Sequence, residues 1–260
     1  MRNHKIFRLI LVFISFSPFL NANNFSTQVM EATFKLFNVN STSTCFIIES
    51  EEEDLFLVTA AHSLERASGN TALIVLRKPH EDGSYSRLDV PLLIRKGDTP
   101  LWVQHEDQDV AVLKLNKPFP VTVSPLPIAA ISHQSHLLKR GVEICDSLFL
   151  FTFPERFEAN GAAFPVARQG IFSSPPQLPY KTHPTYLADF TTFSGDSGGP
   201  AFVVGPNKKK GSIVGVVIAK HFTKEKVSSK YFEQEFRHSL GFGVILHGDY
   251  ILSTLRKAMK

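Results

Sequence analysis

Three short segments of this chain carry residue types that together can perform acyl transfer. The richest is Phe193-Ser194-Gly195-Asp196-Ser197-Gly198-Gly199-Pro200. Glycines on both sides of Ser197 let the backbone turn sharply around its hydroxyl. A nucleophilic serine needs that exposure, and it needs amide hydrogens aimed at the oxygen that becomes negative. Upstream, Leu57-Val58-Thr59-Ala60-Ala61-His62 is an apolar run ending in small residues and a histidine. Imidazole is the side chain suited to take and return a proton near neutral pH. Between the two, Gln108-Asp109-Val110-Ala111-Val112-Leu113-Lys114-Leu115 sets an aspartate at the mouth of an apolar strand. A carboxylate there can hold the ring in one tautomer. Asp107 is a nearby rival, and the Asp-Val-Ala-Val-Leu pattern favours Asp109. The chain order is His, Asp, Ser.

The elements that must position these residues read as short strands. Runs rich in Val, Ile, Leu, Phe and Thr, bounded by Asn, Ser, Asp, Gly or Pro, fall at 32–37, 45–48, 55–59, 72–76, 88–93 and 110–115. The second half offers 142–151, 163–171, 185–188, 201–204, 212–219 and 242–246. This spacing predicts an all-β chain of barrels or sandwiches. Pro118, Pro120, Pro125 and Pro127 mark an extended connector between two β-rich halves. The expected division is a leader at 1–22, a first barrel at 23–128 carrying His62 and Asp109, and a second at 129–260 carrying Ser197. At the end, Ile251, Leu252, Leu255 and Met259 share one helical face, with Asp249 placed to cap the start. That predicts a carboxy-terminal helix docked on the second barrel.

Composition sets the outer bounds. The chain has 260 residues and a mild net charge of +4, which argues against a broad nucleic-acid face. The one dense basic run, Lys208-Lys209-Lys210, reads as a hairpin tip beside Gly205-Pro206-Asn207. Arg2, Lys5 and Arg8, then an apolar stretch at 9–16, then Ala22, form a secretory signal pattern with cleavage after Ala22. Export to a periplasm or the medium is expected, with no stable membrane insertion once the leader is removed. Cys45 and Cys145 could then be joined, although two buried thiols are the simpler reading. No Cys/His spacing suggests a metal, and no cofactor is called for.

On Thr59–His62, Asp109–Leu115 and the 195–200 serine loop, the chain resembles the trypsin/chymotrypsin clan of serine proteases across nearly all of its mature length. The resemblance implies two six-stranded antiparallel β-barrels with the reacting groups in the cleft between them. It implies that Ser197 attacks the scissile carbonyl, His62 moves the proton, and Asp109 orients the ring. It places the oxyanion donors at the Gly195 and Ser197 amides. The expected activity is that of a serine endopeptidase acting on protein or peptide substrates. Two other readings stay open: a non-catalytic peptide-binding or chaperone protein on the same fold, and an esterase. The first would be favoured by loss of Ser, His or the glycines, and none is lost.

Departures from the digestive pattern are informative. No Ile-Val-Gly-Gly-like segment follows a basic residue near the mature start, so Asp196, which the resemblance would pair with a freed amino terminus, has no partner visible in the sequence. Ser63 and Phe193 stand where cysteines are common in the clan. Together with Gly241-Phe242-Gly243-Val244-Ile245-Leu246 before the last helix, this is similar to the HtrA protease domain without its PDZ module. Thr191 stands where a trypsin-type pocket would carry an acid, which disfavours cationic P1 side chains. Ile218 and Lys220 fall on the expected substrate-lining strand, and the P1 preference points to a small or medium apolar group.

Overall fold

The computed structural model describes residues 24–38, 41–116, 118–228 and 233–260. The expected leader at 1–22 lies outside the described residues. The first half contains α1 (Phe25–Ala32), β1 (Thr33–Phe37), β2 (Thr42–Glu49), β3 (Leu55–Thr59), α2 (Ala61–Glu65), β4 (Thr71–Pro79) and β5 (Tyr85–Leu93). Three short strands follow, β6 (Arg95–Lys96), β7 (Thr99–Pro100) and β8 (Trp102–Gln104), then β9 (Ala111–Leu115) and β10 (Leu126–Pro127). The second half contains α3 (Gln134–Lys139), β11 (Ser147–Thr152), β12 (Val166–Ile171), β13 (Thr185–Asp189), β14 (Pro200–Val204), β15 (Gly211–Ser228), β16 (Glu233–His247) and α4 (Gly248–Ala258).

The strands form two main sheets, in keeping with a trypsin-like β-barrel fold. The first runs β5-β4-β1-β2-β3-β9-β8, and the second β12-β11-β14-β15-β16-β13. The second has the expected six strands; the first has eight, because β8 joins one end and β10 adds in parallel to β2. The chain leaves the first sheet at Pro127, and Ile131 already bridges to Ile213 of β15.

Strands β2, β3 and β9 show why the sequence reads as unbroken apolar runs. Cys45, Ile47, Leu55, Leu57, Ala111 and Leu113 point into the first barrel's own core. Their neighbours Phe46, Ile48, Phe56, Val58 and Val112 point the other way, into a core shared with the second half. A strand buried on both faces has no polar alternation to display. Each such fully buried side chain contributes about 1.5–3 kcal/mol. On the far side of that seam, the Phe202 ring stacks with Phe149 and Phe151.

Four expectations change here. The carboxy-terminal helix does form, but Ile251, Leu252 and Leu255 bury into the shared core, so α4 packs on β8 and β9 as well as β15. Asp249 sits in its first turn rather than at its cap, which is His247; the carboxylate instead accepts from the Gln134 amide (2.7 Å) at the start of α3. Cys45 is buried, whereas Cys145 is exposed at φ 73°, and the two are not joined. Finally, β15 and β16 run well past the predicted 212–219 and 242–246. Their outer parts, residues 222–228 and 233–239, pair only with each other. No described helix is long and apolar enough to cross a membrane.

Candidate active site

His62 leaves the end of a fully buried strand. All five residues of β3 are buried, and Ala60 and Ala61 are small enough to turn the chain straight into α2. This one-and-a-half-turn helix is too short to be stable alone. Arg95 secures it: its guanidinium donates to the carbonyls of Leu64, Glu65, Ala67 and Gly69 at 2.7–3.2 Å and lies 4.7 Å from the Trp102 ring centre. Sequence reasoning did not single out Arg95, since nothing in its local pattern marks it.

Asp109 grips His62 with both oxygens. Oδ2 lies 2.6 Å from Nδ1 of the ring, and Oδ1 accepts the His62 amide at 3.0 Å. One carboxylate thus fixes both the ring and the backbone that carries it. Burial pushes the Asp109 carboxyl up, but the hydrogen bonds from His62 outweigh burial and hold it below the usual range. Asp107 is exposed and accepts nothing from His62; its amide donates to His105 Nδ1.

Ser197 comes from the second half, and the first half holds its loop. Thr44 of β2 donates its amide to the Ser197 carbonyl (2.9 Å) and its hydroxyl to the Gly195 carbonyl (2.8 Å). The same hydroxyl accepts from the Phe153 amide at 3.1 Å. Gly198, at φ +86°, sits so close that a Cβ would overlap the Thr44 carbonyl and the Thr59 hydroxyl. Gly195 takes φ +100°, and a Cβ there would overlap the Phe153 carbonyl. The two glycines therefore answer two needs, a left-handed backbone and contact without a side chain. Among the described hydrogen bonds, none engages the Gly195 or Ser197 amide, and none joins the Ser197 hydroxyl to His62. Bonds of the latter kind tighten when substrate binds.

His62, Asp109, Gly195 and Ser197 line one open cleft of about 540 Å³. Residue 23–232 of this chain also match the sequence profile of the trypsin family. The chain belongs to the trypsin family. A serine protease-like function follows from that membership. The match is to the family at large and does not carry the narrower likeness to HtrA. A search of curated proteins returned no match.

Trypsin-family geometry also locates the remaining predicted residues. Ile218 is half-buried and lines the cleft beside Val217. Thr191 is exposed and does not line it; Thr192, buried with its hydroxyl unpartnered, does. Lys220 pairs through its backbone with Gly243 of β16, and its side chain lies outside the described ones. Asp196, left without a partner in the sequence, is 1% exposed and forms an ion pair with Arg168 of β12 at 2.6 Å. Strand alternation puts Arg168 on the inward side of β12, but that signal alone names no partner. Among the described residues, no group of three His, Cys, Asp or Glu side chains could hold a metal ion.

Proposed function

We propose that this protein is an exported serine endopeptidase using Ser197, His62 and Asp109 through an acyl-enzyme. The observation that carries this reading is the two-point grip of Asp109 on His62 in the cleft that Ser197 also lines. With Nδ1 bound to the carboxylate, Nε2 is the ring nitrogen left to take the nucleophile's proton. Ser197 Oγ attacks the substrate carbonyl as Nε2 takes the proton. The carbonyl oxygen becomes negative between the Gly195 and Ser197 amides, which have no competing acceptor among the described residues. His62 then gives the proton to the leaving amine, and water repeats the cycle on the acyl group. Val217, Ile218 and Thr192 are among the residues lining the cleft, in keeping with a small or medium apolar P1 side chain. Export rests on the basic start and apolar run at 2–16.

A fluorophosphonate probe tests the chemistry. Mature protein is expected to be labelled at Ser197, and Ser197→Ala to be unlabelled. Folded wild type that takes no label at any pH from about 6 to 9, where a neutral imidazole is available, would overturn the reading. A peptide library then resolves peptidase from esterase use, and amino-terminal sequencing of secreted material should begin at Asn23.

A further inference from the structure

Asp196 and Ser194 flank the glycine whose amide must face the reacting oxygen, and each is held by a charged residue from the β11–β12 region. Below the loop, Asp196 Oδ2 accepts the Phe193 amide (2.7 Å) and pairs with Arg168 Nη2 (2.6 Å). Arg168 is itself fixed on three sides. Nη1 donates to the Thr191 carbonyl (2.7 Å), Nη2 donates to the Thr152 hydroxyl (2.9 Å), and the guanidinium lies 5.8 Å from the Phe190 and Phe193 ring centres. Asp196 is the one titratable group in contact with it among the described residues. Above the loop, the Glu155 amide donates to the Ser194 carbonyl (2.6 Å), and Glu155 Oε1 accepts the Ser194 amide (3.0 Å). Glu155 reaches this position in a left-handed conformation, φ 48°.

The peptide plane converts these contacts into a direction. In a trans peptide the carbonyl and the next amide point oppositely. With the Ser194 carbonyl drawn to Glu155, the Gly195 N–H must face away from Glu155. Turned over, the same peptide would present a carbonyl oxygen where negative charge develops. The amino-terminal end of the described chain is occupied elsewhere: the Phe25 amide donates to the Lys208 carbonyl (3.0 Å), and its ring packs on Phe202.

We infer that Arg168 and Glu155 are positioning residues that lock the Ser194–Gly195 peptide and Asp196 in the oxyanion-binding arrangement, the Asp196 charge being met by Arg168. The inference rests on the serine-hydrolase reading for its catalytic consequence. Arginine suits the buried site because its charge survives at any working pH and its fork meets several acceptors at once.

The test compares wild type, Arg168→Met, Arg168→Lys, Glu155→Gln, Glu155→Ala and wild type with a short extension ahead of Asn23. The readouts are kcat and KM on a peptide ester and hydrogen exchange at residues 193–199. Arg168→Met should lower kcat by about 100-fold or more with little change in KM, and should speed exchange in the loop. Arg168→Lys keeps the charge but not the fork and should fall between wild type and Arg168→Met in kcat and in loop exchange. Glu155→Gln keeps an acceptor and should stay near wild type, while Glu155→Ala should lose about 3- to 10-fold in kcat. The extended protein should be as active as wild type. Arg168→Met within about threefold of wild type, below the loss of one donor, would overturn the inference while leaving the hydrolase reading intact. An extension that abolishes activity would overturn it too. A wild type that neither cleaves nor labels would instead remove the hydrolase reading, and unchanged loop exchange in Arg168→Met would then still overturn the lock. Should Arg168→Met fail to fold, Arg168→Lys decides: kcat and loop exchange both equal to wild type would overturn the inference.

Discussion

The Thr44 hydroxyl joins three things at once: its own strand in the first sheet, the Gly195 carbonyl and the Phe153 amide. Replacing it with valine keeps the shape and removes both bonds. Two buried backbone groups then lose their partner, at a cost of about 1–3 kcal/mol each. Thr44→Val is therefore expected to lower Tm and to reduce kcat by about tenfold or more, since Gly195 is no longer held to the first barrel. Thermal melts and kcat measured on one preparation check both. At Asp109 the arrangement is stricter, because the carboxylate fixes the ring and the amide of His62 together. Asp109→Asn should cost about 10⁴-fold in kcat with the fold intact, as the ring is left in the wrong tautomer. The Asp109 carboxyl is held below its ordinary range, so it stays ionised through the neutral range and can face a positively charged ring. A general base must be neutral to take the Ser197 proton, so kcat/KM should fall on the acid side, and a rate independent of pH from about 5 to 8 would contradict His62 as that base.

Among the elements, α2 is the one whose stability is supplied from outside. It has five residues and ends under the Arg95 guanidinium. Arg95→Met should destabilise the protein by about 2–3 kcal/mol and lower kcat, because the helix that carries His62 loosens. Denaturant melts and kinetics would show both. Strand β3 was legible in the sequence to the residue, since Leu55–Thr59 is an apolar run that begins straight after four acidic residues. The long hairpin was not. Its outer stretch includes Lys224-Glu225-Lys226, a charged run with no apolar alternation in the sequence to betray a strand. Helix α1 was hidden for another reason: it is eight residues long, and it buries only Phe25, Val29 and Ala32. The three candidate reacting side chains could be picked out in the sequence: small residues precede His62, an apolar strand follows Asp109, and glycines flank Ser197. Their supports, Thr44, Arg95 and Arg168, were not readable, since they reach their targets only across long stretches of chain.

At the scale of the whole molecule, His247 links the second sheet to the helix across the seam. It is 1% exposed, its Nδ1 is unpartnered, and its ring meets Tyr186 edge-on at 5.0 Å. Burial lowers its pKa to about 4, and the Asp249 charge offsets only part of that. The unfolded chain binds this proton more readily than the folded one. Stability from the neutral ring is therefore complete above about pH 6.5 and is lost as pH falls toward about 4, by about 3 kcal/mol. His247→Phe, which keeps an aromatic ring against Tyr186, should flatten the fall of Tm across that window. An unchanged acid slope in the variant would assign the loss to other groups.

The serine loop reaches its final shape only against Thr44 and Thr59, which belong to the other half of the molecule. That division has a consequence for either half alone. Under the proposed function, the first barrel by itself would hold a base and its orienting acid but no nucleophile, and the second half would hold Ser197 on a loop without its supports. Reactivity would then begin only when the two halves dock.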